Sequence, residues 1–253
     1  MNRALTRRGL LAGGGVAALA SVAAAAAPGV GGALLAPAPS RRWALVVDLA
    51  RCARDRGCSA CEQACHTTHA VASPADPRHE LKWIWKEPYA AVFPEQLHAR
   101  VPPARRQLPV VVTCNHCSAP PCTRVCPTGA TWQRDDGVVA MDPHRCIGCR
   151  YCMAACPYDA RSFNWERPAP SARGGTFPPR SLGVVEKCTL CAERLDVGLA
   201  PACVEACQRD GAGALMFGDL ADDGAAVSRL LAARPALRRR PELGTQPNVY
   251  YLV

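Results

Sequence analysis

Short apolar runs, separated by polar and turn-forming residues, make up most of the chain after residue 40. From Thr131 to Met141, two such runs flank Asp136-Gly137, a pattern that is typical of a β-hairpin. Further strands are predicted at Trp43–Asp48, Val110–Thr113, Arg161–Trp165 and Ala214–Phe217. Helices are predicted at Glu186–Leu199 and, with an amphipathic and arginine-rich pattern, from Ala225 to about Arg240. The pattern indicates an α+β chain of short elements.

Composition adds that the chain is rich in loops and has a modest apolar core. Its 253 residues are enough for one sizeable domain or two small ones that share a core, and they include 23 Pro and 20 Gly but only 6% aromatic residues. The net charge of +9 is not gathered into a lysine-rich stripe with aromatic residues between, so it gives no support for nucleic-acid binding. A basic surface suits an acidic or membrane-bound partner. No nucleophile–base pair, dinucleotide loop or Walker motif is found, so a partner is expected to carry out any chemistry on a substrate.

Residues 1–39 have the pattern of an export signal. Thr6-Arg7-Arg8-Gly9-Leu10-Leu11 is a twin-arginine signature, and a weakly apolar stretch follows it from Leu10 to about Ala27. Export by the Tat route is therefore expected, to the periplasm or to the outer face of the cytoplasmic membrane. The alternative is a membrane anchor, although this stretch is at the short end for a span. After residue 40 no apolar run approaches the roughly 20 residues that cross a bilayer.

The chemistry of the chain is expected to lie in its sixteen cysteines. They form four runs with no cysteine left over: run I is Cys52, Cys58, Cys61 and Cys65; run II is Cys114, Cys117, Cys122 and Cys126; run III is Cys146, Cys149, Cys152 and Cys156; run IV is Cys188, Cys191, Cys203 and Cys207. In run III the spacing C-x2-C-x2-C-x3-C-P is that of bacterial ferredoxins. Three thiolates on a tight loop bind three irons of a [4Fe–4S] cluster, and the fourth cysteine ligates the neighbouring cluster. The sequence thus predicts four [4Fe–4S] clusters.

Two other uses of the cysteines compete with the binding of iron–sulfur clusters. An exported chain with an even number of cysteines can carry disulfides, but closely linked C-x2-C pairs are poor disulfide partners. Zinc binds C-x2-C pairs, yet four complete groups of four, two of them ending in Cys-Pro, favour iron–sulfur clusters.

The order of the runs predicts two interleaved modules of the bacterial-ferredoxin type, each with two clusters. Residues 114–165 form the inner module; residues 40–113 and 166–222 form the outer module, and residues 223–253 form an amphipathic, basic tail. Exchange of the fourth ligands within each module predicts four ligand sets. These are Cys52, Cys58, Cys61 and Cys207; Cys188, Cys191, Cys203 and Cys65; Cys114, Cys117, Cys122 and Cys156; and Cys146, Cys149, Cys152 and Cys126.

The order and spacing of the runs resemble the iron–sulfur subunits of the DMSO reductase, polysulfide reductase and formate dehydrogenase type. Other segments are similar to the periplasmic DsrO group of the DsrMKJOP complexes: Trp83–Tyr89, Cys114–Cys117, His144–Cys149, Arg161–Trp165, Val184–Cys188, Pro201–Ala206 and Arg240–Tyr251. The resemblance implies a quinone-reactive integral membrane partner and other redox subunits, such as a multihaem cytochrome c, in dissimilatory sulfur metabolism. The chain would be held at the membrane through that partner. An exported molybdopterin reductase of the polysulfide, tetrathionate or DMSO type is the alternative. Run I departs from the superfamily by its five residues between Cys52 and Cys58, which puts the role of Cys52 in doubt.

Several residues beside the cysteines have two interpretations. His66, His69, His116 and His144 are expected to make ordinary hydrogen bonds rather than to bind metal. Trp83, Trp85, Tyr89 and Phe93 are expected to pack in the core. Arg145, Arg150 and Lys187 flank predicted ligands, where they either raise the cluster potential or are surface charges.

Overall fold

A computed structural model of the chain describes residues 40–167, 177–178 and 180–253. The predicted export signal, residues 1–39, lies outside the described residues. Among the residues that are described, we find no helix with the length and apolar character that a membrane span requires.

The described residues form short strands and helices joined by loops, as an α+β chain should. The strands are β1 (Trp43–Asp48), β2 (Ile84–Pro88), β3 (Pro109–Thr113), β4 (Thr131–Gln133), β5 (Val139–Met141), β6 (Ser162–Phe163), β7 (Val185–Glu186), β8 (Leu215–Asp219), β9 (Ala236–Leu237) and β10 (Val249–Leu252). The helices are α1 (Leu49–Cys52), α2 (Ala60–Thr68), α3 (Tyr89–Val92), α4 (Pro103–Arg106), α5 (Pro121–Arg124), α6 (Tyr151–Ala154), α7 (Ala192–Leu195), α8 (Ala202–Arg209) and α9 (Ala226–Ala233). Short 3-10 turns lie at Pro77–His79, Pro94–Gln96 and Pro241–Leu243. The predicted α+β, loop-rich class is confirmed.

The largest sheet has the strand order β8-β1-β10-β9. Strand β1 pairs in parallel with β10 and antiparallel with β8, so it has a neighbour on each side. Its sequence WALVVD is buried from Ala44 onward, as expected for an inner strand that is covered on both faces. The last residues of the chain therefore form an inner strand of the sheet.

Side chains of β1 alternate between two apolar cores. Leu45 and Val47 join the larger core, where Leu215 of β8 and Tyr251 of β10 also lie. Val46 points to the opposite face and packs in a smaller core with residues of α9 and β10. Because the side chains of a strand alternate in direction, one short run of valine and leucine serves both cores.

The aromatic residues from Trp83 to Phe93 pack in the larger core, as expected from the sequence. Trp83 directly precedes β2, Trp85 lies in β2 opposite Val112 of β3, and Phe93 is 0% exposed. The ring of Phe93 meets that of Tyr251 edge-on with 5.0 Å between the centroids. These rings therefore connect the β2–β3 ribbon to the main sheet.

Local sequence patterns located most of the strands correctly. The hairpin at 131–141 is confirmed as β4 and β5, with Gly137 at φ 84° in the turn. The strand predicted at Trp43–Asp48 is confirmed with the same limits, and those at Val110–Thr113 and Ala214–Phe217 differ by one or two residues. The strand predicted at Arg161–Trp165 is shorter, Ser162–Phe163.

Two helix predictions are wrong in extent. The segment predicted as a helix from Glu186 to Leu199 contains the end of β7 and only the short helix α7, because Leu190 and Cys191 adopt left-handed backbone angles with φ of 56° and 52°. The tail helix ends at Ala233 rather than near Arg240, because Arg234 precedes a proline and takes an extended conformation.

A glycine in β8 sets how closely α9 approaches the sheet. A Cβ atom on Gly218 would lie 2.6 Å from Cγ2 of Val227, which is 2% exposed. We expect Gly218→Ala to lower the free energy of unfolding by about 1–3 kcal/mol through overpacking. In the double variant with Val227→Ala the methyl clash is removed. A thermal-unfolding double-mutant cycle should therefore show a destabilisation of the double variant that is smaller than the sum of the two single-variant destabilisations. Strict additivity would contradict this contact.

Candidate metal centres

The structure gathers the cysteines into four groups. All sixteen lie in the described part of the chain, and each is a free thiol. We name the groups quartet A (Cys52, Cys58, Cys61 and Cys207), quartet B (Cys65, Cys188, Cys191 and Cys203), quartet C (Cys114, Cys117, Cys122 and Cys156) and quartet D (Cys126, Cys146, Cys149 and Cys152). These are the sets that the exchange of fourth ligands predicts; that they bind iron stays a prediction from the sequence.

Quartet A is assembled from three helices. Cys52 ends α1, Cys61 lies in α2 and Cys207 lies in α8, and α2 and α8 pack against each other. Burial, and then the nearby charges of Glu62 and Cys207, raise the pKa of Cys61 to about 12. Burial, and then the charges of Cys207 and Cys58, likewise raise the pKa of Cys52. A thiol with so high a pKa loses its proton at neutral pH only when a cation such as a metal replaces it.

The five residues inserted in run I, 53–57, leave Cys52 close to the other members of quartet A. The carbonyl of Asp55 accepts a hydrogen bond from Cys58 N at 3.2 Å, and the Asp55 carboxylate accepts one from Gly57 N at 3.1 Å, so residues 53–57 form a compact turn. Cys52 itself is buried, with 8% exposure. The Asp48 carboxylate begins α1 by accepting a hydrogen bond from Arg51 N at 3.0 Å.

Quartet B is deeply buried and lies next to an ion pair. Cys65 and Cys203 are on α2 and α8, and burial raises the pKa of both thiols well above the usual value. The backbone N–H groups of Leu190 and Ala202 donate to the sulfur atoms of Cys188 and Cys191 at 3.3 Å and 3.4 Å. Donors of this kind stabilise negative charge on sulfur.

His69 lies beside quartet B, with its Nδ1 3.8 Å from the sulfur of Cys65. Its Nδ1 is 3.0 Å from the carbonyl oxygen of Cys65, and its Nε2 is 2.8 Å from the Glu193 carboxylate. Burial lowers the pKa of His69, but hydrogen bonds with Cys191 and Glu193 outweigh it and raise the pKa to about 10. The ligand atoms of His69, Cys191 and Glu193 all lie within 4.8 Å of one another. Glu193 was missed by sequence reasoning, because 124 residues separate it from His69.

Quartets C and D each line a recess of their own. The recess of quartet C is also lined by Tyr158 and Arg161, and the four sulfur-bearing residues are Cys114, Cys117, Cys122 and Cys156. The recess of quartet D is lined by Cys126, Cys146, Cys149 and Cys152, together with Ile147 and Arg150. Of the sixteen cysteines, Cys149 of quartet D is the exposed one.

The quartets follow one another in a row from A to D. Cys61 of quartet A is close enough for its charge to act on Cys65 and Cys203 of quartet B. In the same way, Cys114 of quartet C acts on Cys188 of quartet B. Cys122 of quartet C acts on Cys152 of quartet D. Successive quartets in this row are therefore close enough to interact, and α2 and α8 each carry one member of quartet A and one of quartet B.

Buried cations line the row between quartets B and D. The Arg161 guanidinium donates to the sulfur of Cys122 at 2.9 Å, and the side chain of Lys187 donates to the backbone carbonyls of Val139 and Cys188. His116 Nδ1 accepts from Val139 N at 3.1 Å. Of the flanking cations considered from the sequence, Lys187 is buried, whereas Arg145 and Arg150 are exposed. Arg161 was predicted only as a strand residue, because nothing in its local sequence indicates a contact with sulfur.

The donor sets fit [4Fe–4S] clusters. Each cluster requires four thiolates, and each quartet supplies four thiols from two separate runs, with backbone N–H groups or a cation directed at the sulfur atoms. Ala214 N and Leu215 N, for example, lie 3.2 Å and 3.3 Å from the Cys207 sulfur. Tetrahedral zinc accepts four thiolates as well, so the donor atoms alone leave two metals to consider.

Comparison with known families distinguishes between these metals. A family model described as a 4Fe-4S dicluster domain matches residues 108–172 and 176–220. Runs II and III lie in the first segment and run IV lies in the second. The match assigns [4Fe–4S] chemistry to this chain.

Relatives extend the match to most of the chain. It is 38% identical over 230 residues to the Hdr-like menaquinol oxidoreductase iron-sulfur subunit 1 of Archaeoglobus fulgidus, which covers 83% of this chain and 83% of the relative. It is 36% identical over 216 residues to a tetrathionate reductase subunit of Salmonella typhimurium, covering 85% and 73%. It is 36% identical over 240 residues to the menaquinone reductase iron-sulfur cluster-binding subunit of Nitratidesulfovibrio vulgaris, covering 83% and 88%.

Asp48 is expected to hold Cys52 in quartet A. Its carboxylate caps α1 and lies 2.8 Å from the guanidinium of Arg234. We expect Asp48→Ala to cost about 1 kcal/mol for the lost cap and to speed the release of iron to a chelator, because α1 carries Cys52. Asp76→Ala is the matched control, since Asp76 also caps a short turn, Pro77–His79, which carries no cysteine. Equal rates of iron release from the two variants would contradict the role of Asp48.

Proposed function

The chain belongs to the family of [4Fe–4S] iron–sulfur subunits of the DMSO and polysulfide reductase superfamily, and we propose that it relays electrons through four clusters between a quinone-reactive membrane subunit and other redox subunits. The observation that carries this proposal is the row of quartets A to D, in which each quartet lies beside the next. A bound [4Fe–4S] cluster supplies a carrier of one electron. This chain supplies the ligands, keeps the row together and excludes water from its interior.

The exposure of the quartets supports a relay that reaches the protein surface at quartet D. Quartets B and C consist of buried and partly buried cysteines, whereas quartet D reaches the surface at Cys149. Next to Cys149, Ile147 is 67% exposed and Tyr151 is 64% exposed. Large apolar side chains beside an exposed ligand are suited to contact with a protein partner. We propose that the quinone-reactive membrane partner contacts the chain here, which would bring its cofactor close to quartet D.

We also propose that the chain acts in dissimilatory sulfur metabolism and outside the cytoplasmic membrane. The twin-arginine signature at Arg7 and Arg8 favours export of the folded, cluster-loaded chain. Relatives named for menaquinol and menaquinone oxidoreduction favour a quinone-linked partner. With such a partner, electrons would pass between the quinone pool and further redox subunits, a multihaem cytochrome c among them.

A molybdopterin reductase is the second candidate assembly. The observation in its favour is the similarity to the tetrathionate reductase subunit over 85% of this chain. In this case the electrons would be delivered to a large catalytic chain. Purification of the native complex distinguishes the two, because only the second assembly contains molybdenum.

The number of clusters is tested by metal analysis. We expect about sixteen iron and sixteen acid-labile sulfide atoms per chain after anaerobic purification, since each [4Fe–4S] cluster has four of each. The EPR spectrum of the reduced protein should show interacting spins, because the quartets are neighbours. In Cys52→Ser we expect selective loss or alteration of one cluster. A native preparation with little iron would contradict the relay, and a Cys52→Ser variant with unchanged iron and spectrum would exclude Cys52 as a ligand.

The surface beside quartet D is tested by charge. Ile147→Glu introduces an acidic group beside the exposed Cys149, so we expect electron exchange with membranes that contain the partner to fall by at least about tenfold, corresponding to about 1.4 kcal/mol of lost binding. Val197→Glu is the matched control, because Val197 is a similarly exposed apolar residue, at 70%, and does not line quartet D. Iron content should be unchanged in both. Equal loss of electron exchange in the two variants would argue against this docking site.

A further inference from the structure

Three buried cations surround quartet C without a carboxylate partner. Arg161, Lys187 and Arg239 are 3%, 2% and 5% exposed. Among the described residues, none of the three forms an ion pair with an aspartate or glutamate, whereas the fourth buried cation, Arg180, lies 3.0 Å from the Glu186 carboxylate. An isolated buried charge is costly, so an opposite charge must lie close to these three.

The contacts of Arg161 identify that opposite charge as sulfur. Its guanidinium lies 2.9 Å from the Cys122 sulfur and 2.9 Å from the Thr131 hydroxyl oxygen. The thiolate charges that act on it belong to Cys122, Cys152 and Cys114, which are members of quartets C and D. Arg161 thus lies between these two quartets, with its closest contact to quartet C.

Lys187 lies between quartets B and C. Its side chain donates to the carbonyl of Cys188, a member of quartet B, and to that of Val139, which lines the recess of quartet C. These carbonyl groups carry no full charge to balance it. Arg239 lies further out, with its guanidinium 5.5 Å from the ring centre of Tyr158, a residue that lines the recess of quartet C.

Among the described residues, no arginine contacts a sulfur atom of quartet A or B. Lys86 is the cation beside quartet A, and it lies 3.5 Å from the Glu62 carboxylate. His69 lies beside quartet B, 2.8 Å from the Glu193 carboxylate. Lys187 is shared by quartets B and C, so the buried cation that distinguishes quartet C from quartet B is Arg161.

We propose that Arg161 holds the midpoint potential of the cluster in quartet C above that of the buried cluster in quartet B. Reduction adds one negative charge to a cluster, and buried positive charge stabilises the reduced form. Both quartets are largely buried, so solvent exposure does not offset the difference. Electrons in the row therefore reside on quartet C before they pass to quartet D. The inference rests on the proposed function, because it requires clusters in both quartets.

The test is an EPR-monitored redox titration of the purified, iron-loaded full chain. In Arg161→Gln, we expect the component from quartet C to move to lower potential, so that its ratio of reduced to oxidised form falls at least tenfold at a fixed potential, or about 59 mV. A second component, from quartet D, should move less. In Lys187→Gln, the components from quartets B and C should both move, because Lys187 lies between them. Arg161→Lys retains the charge and should remain closer to the wild type.

Arg145→Gln is the matched control. Arg145 lies beside the ligand Cys146 but its side chain is 68% exposed, so water screens its charge and we expect little shift. An iron-loaded Arg161→Gln chain that titrates like this control would overturn the inference, and so would an Arg161→Lys chain whose quartet C component moves as far as that of Arg161→Gln. If Arg161→Gln loses a cluster, the same comparison is made between Arg161→Met and Arg161→Lys. A wild-type chain without iron would contradict the proposed function itself, and metal analysis detects that before any titration.

Discussion

The charge of sixteen closely grouped sulfur atoms is the constraint on which this fold depends. Thiolates in a small apolar interior repel one another and lose the stabilisation that water gives to charge. This unfavourable energy is offset by bound metal, by backbone N–H groups such as those of Ala214 and Leu215, and by buried cations such as Arg161. The left-handed residues Leu190 and Cys191 turn the chain between the sulfur atoms of Cys188 and Cys191, where a helix would continue straight.

The exchange of ligands between runs also holds the chain together. Helices α2 and α8 lie far apart in the sequence, yet they pack against each other and both contribute to quartets A and B. The main sheet adds a second link of this kind, because β1 and β10 come from opposite ends of the described residues and pair in parallel. A small core can be stable under these conditions, because metal binding contributes directly to the free energy of folding.

The charges around the four quartets differ from one quartet to the next. Lys86 and His69, beside quartets A and B, each lie next to a carboxylate, that of Glu62 and that of Glu193. Lys187 lies between quartets B and C. Arg161 contacts the sulfur of Cys122 in quartet C and has no carboxylate partner among the described residues. Exposure, in contrast, is concentrated at quartet D, where Cys149, Ile147 and Tyr151 reach the surface. Charge and exposure are thus assigned to different quartets.

By itself, the sequence determined the features that depend on neighbouring residues. The spacing within run III, the Asp136-Gly137 turn and the apolar run Trp43–Asp48 act over a few residues, so the ligand groups, the hairpin and the first strand could be predicted. Tertiary structure alone decided the features that depend on distant contacts. The carboxylate of Glu193 reaches His69, the guanidinium of Arg161 reaches Cys122, and β10 enters the sheet beside β1. Periodicity and spacing carry no information about these contacts, because their partners come together only when the separate cysteine runs are joined in shared quartets.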